Sequence, residues 1–402
     1  MKPKIYASRS ITKHVLRETG KCFIKSGLNI KCVPDGTIAV GPTDYTFGVF
    51  DQSGVFVKES LFLRRKSQFI PPANAIINST YCDYDAVYLG YLGIPSFGHY
   101  LLEHWNRAYA FLDEKYRDMK FVLVDDKRAD NIPDFVTELA RLLGMKVENL
   151  VILNESTRFR NVYVPEQGFR MYEYSSKEFG EIYAKTAGNI KEKRNFDKIY
   201  VSRAALKDRK TYGEEKVQRI FEKNGFHIVY PEQLPLEEQI ALIKGCKSLA
   251  GCAGTALHLA LFMPNGGNVI QIKRNKQKND YCEVQYLITE TKKHSFVLIE
   301  ASIEKHKTKH HGDYAQIIGV NEHLRQFFDD NGFVYSSDDL AFDKEAYEEY
   351  IRADEKLTAK LGKSRLKRML LETILKLIAC CIPNRRRRKN FRARMREYWD
   401  IM

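Results

Sequence analysis

Arg203 follows the apolar run Ile199–Val201, and Gly251, Gly254 and Thr255 follow a second run, Ser248–Ala250. Residues of these types at strand ends can hold a phosphate. A glycine-containing turn that opens a helix offers free N–H groups and the positive end of the helix dipole. Arg203 adds a forked cation suited to bidentate phosphate contact, and Ser202 stands beside it. Thr255 can cap the following helix and bond phosphate as well. A second group lies in FGHYLLEHWNR, residues 97–107, where His99, Glu103 and Arg107 stand at i, i+4 and i+8. On a helix they share one face, and the Pro95–Gly98 turn sets His99 near its first turn. A His–Glu pair can serve as an oriented base. The same spacing also allows an ordinary Glu103–Arg107 ion pair, with His99 a hydrogen-bonded structural residue. His104 points away and reads as packing.

The elements around these residues must position them. Between Lys198 and Asn265, the apolar runs Ile199–Val201, Phe226–Val229 and Ser248–Ala250 alternate with longer segments of helical period. That alternation is the signature of βαβ units and a parallel sheet, whose ligands bind at the carboxyl ends of the strands. The local reading is a diphosphate-binding half-domain. Upstream, residues 1–60 hold short β-like runs such as Thr37–Val40 and Gly54–Val57. From Ala86 the pattern predicts strand 86–92, helix about 97–114, strand 120–124, helix about 133–144 and strand 150–153. A strand at 161–164 and a helix at 176–191 follow, ending in the charged run KEKRNFD. The expected organisation is an α/β domain at 1–190 with a β-rich start, a second at 191–300, a return segment at 301–355 and a basic segment at 356–402.

Over about residues 90–272 the chain resembles the family 61 glycosyltransferases, an inverting group with the two-domain GT-B fold. The likeness rests on Ser202-Arg203 after Ile199–Val201, Arg209, Gly213-Glu214, Gly225-Phe226 with Pro231-Glu232, and Glu238-Gln239. It continues through Gly251-Cys252-Ala253-Gly254-Thr255-Ala256-Leu257-His258 to Phe262-Met263-Pro264. FGHYLLEHWNR is similar to the family's Gly-His-Trp-Leu-Leu-Asp segment. Ala253 stands where the family has a histidine, and Gly213 where it has an asparagine, so any role of those two side chains is absent here.

The resemblance implies an α/β, GT-B-like fold: two Rossmann-like domains facing across a cleft, acceptor side first and nucleotide-sugar side second. It implies transfer of a hexosyl or pentosyl group, with inversion, from a nucleotide-sugar donor to a glycan acceptor. His99 and Glu103 then compete as the base. Ser202, Arg203, Arg209, Glu214, Glu238, Gly254, Thr255 and His258 become candidate donor contacts. Five of these have plainer alternatives: Arg203 suits a surface position after a strand and Arg209 the exposed charged loop LKDRK. Glu214 suits the first turn of a helix starting near Gly213, Glu238 a helix surface, and His258 a satisfied core position. No cofactor is implied, and no metal requirement.

The 402 residues are 44% hydrophobic with 23 Tyr and 23 Phe, ample for real cores in two or three units. Cys22, Cys32, Cys82, Cys246, Cys252, Cys282, Cys380 and Cys381 show no CxxC spacing, which favours reduced, cytoplasmic thiols. The start, MKPKIYASRSITKHVLRE, lacks the apolar core of a signal peptide. No run reaches the ~18 uncharged apolar residues of a membrane-spanning helix.

Residues 352–402 carry 16 Lys or Arg against 5 Asp or Glu, so most of the net charge of +14 sits there and the body is near neutral. Leu366, Met369, Leu370, Ile374, Leu377, Ile378 and Cys381 recur at helical spacing, interrupted by Glu372 and Lys376. Pro383 ends that helix, and Arg385, Arg386, Arg387, Arg388 and Lys389 follow, with Phe391 and Trp399 among further arginines. An apolar stripe beside such a cluster suits an anionic membrane surface, at about 1 kcal/mol per basic residue. Packing on the body and nucleic-acid binding are the alternatives, and no nucleic-acid motif or basic body supports the second. The expected setting is peripheral to the inner face of a bacterial cytoplasmic membrane. There the chain would extend a glycan or lipid-linked glycan in capsule, lipopolysaccharide or other surface-polysaccharide synthesis.

Two further alternatives remain. Asp83-Tyr84-Asp85 matches the DxD string of metal-dependent glycosyltransferases, although it is expected ahead of a strand. A membrane-recruited binding protein that keeps the fold without catalysis is the other, favoured by Ala253. A Walker-type glycine loop and zinc-ligand spacing are both absent.

Overall fold

The computed structural model describes residues 2–41, 46–63, 70–71, 73–92, 96–125, 133–191, 196–206, 210–275, 282–303, 316–356 and 359. Two sheets organise them. One has six strands, all parallel, in the order Lys4–Tyr6, Ser295–Glu300, Asn268–Lys273, Ser248–Cys252, Lys198–Val201 and His227–Val229. Continuous apolar runs such as FVLI within Ser295–Glu300 are what strands covered on both faces need. The other sheet is mixed. Thr157–Pro165, Thr80–Tyr91, Lys120–Val124 and Leu150–Leu153 run parallel, while Ile30–Pro34 and Thr37–Val40 lie antiparallel to Thr157–Pro165, and Phe47–Phe50 antiparallel to Thr37–Val40. The chain is thus a mixed α/β protein with parallel sheets. Among the described residues no helix is long and apolar enough to cross a membrane.

A boundary near residue 190 does not separate the two sheets. Lys4–Tyr6 adds to the edge of the parallel sheet, and the helix Arg9–Thr19 behind it buries Ile11 and Val15 with Phe296 and Leu298. A three-residue strand whose partner lies far along the chain leaves no local signal, so this pairing is not legible from the span 1–190 alone. The return segment also packs on the parallel sheet. Gln316–Ile317 pairs with Thr211–Tyr212, and Leu324, Phe327 and Phe328 of helix Glu322–Asp330 join Tyr200, Phe221 and Ile270. Arg209 lies outside the described residues. So do the tail positions Leu370, Ile374, Leu377, Arg385, Arg386, Arg387, Arg388 and Trp399.

The sheets share a core. One apolar cluster runs from Val87, Leu89 and Phe121 of the mixed sheet to Val201, Leu249 and Val269 of the parallel one. It passes through helices Asp134–Leu143, Lys177–Asn189 and Leu236–Ile243 and the tight helical segment Thr255–Phe262. Side chains on opposite sheets therefore hold each other in place.

The helix expected at 97–114 is broken into three. An α-turn at Phe97–His99 widens to a π-turn at Tyr100–His104, and a 3-10 turn follows at Ala108–Leu112. Asn106 supplies the physical reason. Its side-chain amide donates to the carbonyls of Leu102 at 3.3 Å and Glu103 at 2.6 Å, in place of backbone N–H groups. Trp105 N–H reaches back five residues to Tyr100 O at 2.9 Å. The break carries Arg107 off the His99–Glu103 face, so the anticipated Glu103–Arg107 pair does not form. Arg107 is instead fully buried, donating to the carbonyls of Pro165 at 2.8 Å, Glu59 at 3.1 Å and Leu61 at 2.9 Å. Gly90, at φ 114°, makes room: a Cβ there would lie 3.1 Å from Arg107 Nη1.

Arg107→Met keeps the volume and strands three buried carbonyls. At about 1–3 kcal/mol for each lost buried partner, the variant should lose at least ~3 kcal/mol, read as a lower urea midpoint. An unchanged midpoint would mean that the segments close up without the guanidinium.

Candidate active site

The site begins with a contact that only glycine permits. A Cβ on buried Gly98 would lie 2.3 Å from Thr255 Cγ2 and 3.3 Å from His258 Cδ2. The turn at the head of the broken helix therefore presses directly on the loop that ends strand Ser248–Cys252. His99, the next residue, places Nδ1 2.6 Å from Glu103 Oε2. The π-turn starts after His99, and the i, i+4 pair forms even though Glu103 lies within that turn. Glu103 is buried at 5% side-chain exposure while His99 stays 39% exposed, so the imidazole faces outward with the carboxylate behind it.

The second half of the site is built on strand Lys198–Val201. Arg203 lies against Gly254, where a Cβ would be 2.9 Å from Nη1. Its own N–H donates to Glu214 Oε1 at 3.2 Å, and the Tyr200 hydroxyl donates to the same oxygen at 3.2 Å. Burial, with Arg274 beside it, lowers Arg203 to about 10, so it stays cationic at neutral pH. Burial raises fully buried Glu214 to about 7, against the pull of the Arg203 N–H, Cys252 and the charges of Arg203 and Arg274.

Ser202 is not turned to a ligand. Its hydroxyl is buried, donates to Gln218 Oε1 at 2.5 Å and accepts from Ala204 N–H at 3.1 Å, which fixes the loop carrying Arg203. Gly213 sits at φ 77° before helix Glu214–Lys223, and a Cβ on it would lie 2.3 Å from Ile318 O. The returning segment at Ile318 thus demands glycine there.

Gly254 and Thr255 are adjacent and touch both groups, so the structure gathers His99, Glu103, Thr255, His258, Gly254, Arg203 and Glu214 around one loop. Glu238 occupies the first turn of helix Leu236–Ile243, half-buried, and neighbouring Gln239 fastens that helix to Pro231 O at 2.8 Å and Leu234 O at 2.9 Å. Asp83 and Asp85 lie within strand Thr80–Tyr91, not ahead of it. Asp85 accepts from Arg160 at 3.0 Å and Asn161 at 2.9 Å, and Asp83 accepts from the Tyr81 hydroxyl at 3.2 Å.

Three supporting residues were not singled out from the sequence. Tyr200 holds Glu214, Arg274 acts on both Arg203 and Glu214, and Gln285 meets His258 Nδ1 at 3.1 Å. Tyr200 stands in an apolar strand run, and the other two lie beyond the family-like stretch, so spacing carried no hint of them.

The family model for glycosyltransferase 61 matches residues 97–270. The match opens on Phe97, at the Gly98 turn, and closes within strand Asn268–Lys273. Over that stretch the chain is similar to glycosyltransferase family 61. No curated protein matches the chain. The match indicates a glycosyltransferase, an enzyme that takes a sugar donor and an acceptor. The matched stretch contains both the His99–Glu103 pair and the Arg203–Gly254 loop.

Glu214→Gln tests the buried acid. Glu214 is neutral in both folded and unfolded chains below about pH 4.5, and above that only the unfolded chain ionises until about pH 7. Wild-type stability from this group is therefore fully present at low pH and lost as pH rises through 7. The Gln variant escapes the loss, so its stability relative to wild type should rise by about 3 kcal/mol between pH 4.5 and 7.5. Denaturation midpoints that track each other at both pH values would contradict the raised carboxyl.

Proposed function

We propose that this protein is an inverting glycosyltransferase of the family 61 type that moves a sugar from a nucleotide-sugar donor to a glycan acceptor. The observation that carries the reading is the His99–Glu103 pair, seated through Gly98 beside the Gly254–Thr255 loop that Arg203 backs. With Nδ1–H donating to Glu103, the imidazole lone pair sits on Nε2. There it accepts the proton of the acceptor hydroxyl as that oxygen attacks the anomeric carbon. The bond from that carbon to the diphosphate breaks, and its electron pair leaves on the phosphate oxygen. Arg203 and the loop N–H groups stabilise the charge that appears there. Glu103 steadies the imidazolium, so His99 is the base and Glu103 the group that orients it.

The wider setting rests on sequence. The basic, apolar tail supports recruitment to an anionic membrane and a lipid-linked or other surface glycan as acceptor, at the inner face of a bacterial membrane. Two sheets with a shared core are compatible with facing GT-B domains. The metal-dependent alternative is weakened by Asp85, which the strand ladder binds to Arg160 and Asn161. A non-catalytic role, suggested by Ala253, is separated by turnover itself.

His99→Ala should reduce turnover by about 10²–10⁴-fold with donor affinity close to wild type. Arg203→Ala should do the reverse and weaken donor binding by roughly 10–100-fold, the loss of a charge-assisted fork. Calorimetry and single-turnover kinetics resolve the two. Full turnover in the His99 variant would move the base elsewhere.

Deleting residues 356–402 should abolish co-sedimentation with vesicles of anionic lipid while nucleotide binding persists. Full-length binding should weaken with salt, because charges are screened beyond about 8–10 Å. Truncated protein that still sediments would put the membrane surface on the α/β body.

A further inference from the structure

His258 lies one turn beyond Thr255 on the loop that Gly98 touches, and it is half-buried. Its Nδ1 is 3.1 Å from Gln285 Oε1. The amide of buried Gln285 is not free to turn over, because its Nε2 donates to Leu257 O at 3.2 Å. An amide oxygen only accepts, so the proton between them belongs to His258 Nδ1 and the lone pair to Nε2. Cδ2, the ring atom bonded to Nε2, is the one that faces Gly98, so this edge lies toward the His99 turn. Burial, with His99 close by, lowers His258 to about 4, which keeps the ring neutral at physiological pH.

From this geometry we infer that His258 Nε2 is a fixed hydrogen-bond acceptor in the cleft that reads a hydroxyl of the bound donor, rather than a cation that holds phosphate. The inference rests on the donor-binding reading above. A neutral acceptor repels a phosphate oxygen and rewards an O–H group, so His258 sets which hydroxyl pattern the site admits. Sites built to pair a substrate hydroxyl reject analogues that lack it far more strongly than apolar pockets do. The hydroxyl can come from the ribose or from the transferred sugar. Gln285 is a positioning residue that acts only through the tautomer.

Two measurements test this. Nitrogen-15 NMR of the histidines in the full chain reads the tautomer without any ligand. The His258 signal should show protonated Nδ1 and bare Nε2 at pH 7, and Gln285→Leu should shift it towards the other tautomer. A protonated Nε2 or an imidazolium in wild type overturns the inference. Calorimetry with UDP, GDP, UDP-glucose and GDP-mannose then reads the hydroxyl. For whichever nucleotide sugar the wild type binds, His258→Phe should weaken binding about tenfold, and His258→Gln, which restores an acceptor, should recover most of it. A loss shared by the bare nucleoside diphosphate assigns the hydroxyl to the ribose, and a loss confined to the nucleotide sugar assigns it to the sugar. Unchanged binding in a folded Phe variant overturns the inference. Wild type that binds none of the four sinks the nucleotide-sugar reading and this inference with it, a result distinct from binding that the Phe variant retains.

Discussion

A missing β-carbon holds this site together. Gly98 touches Thr255 and His258 so closely that any larger residue would put a carbon 2.3 Å from the Thr255 methyl. Both partners are embedded in packed structure: the broken helix in the mixed sheet's core, the Thr255–Phe262 segment against the parallel sheet. Close-packed interiors yield little, so overpacking by one methyl there would move one element away from the other. Since His99 is the next residue, that displacement would separate the proposed base from the Gly254–Thr255 loop. The reach of the two sheets towards each other and the chemistry of the site are therefore one constraint.

Two buried charges show how the surroundings are kept rigid. Among the described residues no carboxylate pairs with Arg107; three carbonyls from two segments, Pro165 and the Glu59–Leu61 turn, take its donors. A guanidinium can tie such segments because its fork presents several donors in fixed directions. Glu214 does the converse beneath the donor loop, collecting the Tyr200 hydroxyl and the Arg203 N–H on one oxygen. Its burial keeps the carboxyl near neutrality, so its pull on Arg203 varies with pH while the hydrogen bonds still fix the loop. Arg203 is thus aimed by its backbone as well as by its charge.

Much of this was legible in the sequence, for identifiable reasons. The strands at 120–124, 150–153 and 198–201 follow from apolar runs bounded by turns, and the αβ alternation follows from their spacing. The His99–Glu103 pair follows from i, i+4 spacing, and it forms even though Glu103 already lies within the π-turn. The break itself was invisible, since it depends on the Asn106 side chain competing for backbone carbonyls. So was the strand Lys4–Tyr6, whose partner lies nearly three hundred residues on. Ser202 shows a subtler limit. Its place after a strand suggested a ligand contact, yet a hydroxyl there is equally able to close the loop on itself, and Gln218 decides the matter.

The two histidines near the Gly98 contact differ in what stands behind them, and that difference suits them to different work. Both present a proton on Nδ1 to an oxygen and turn Nε2 outward from it. Behind His99 the oxygen belongs to a carboxylate, whose full charge can steady an imidazolium once a proton arrives. Behind His258 it belongs to an amide, whose dipole cannot. A proton taken by His258 would also sit close to His99 and in a buried place, and both effects oppose it. In the proposed reaction one imidazole gains a proton during turnover, and the other remains an acceptor throughout. Exchanging the two partners, rather than the histidines, would exchange the roles.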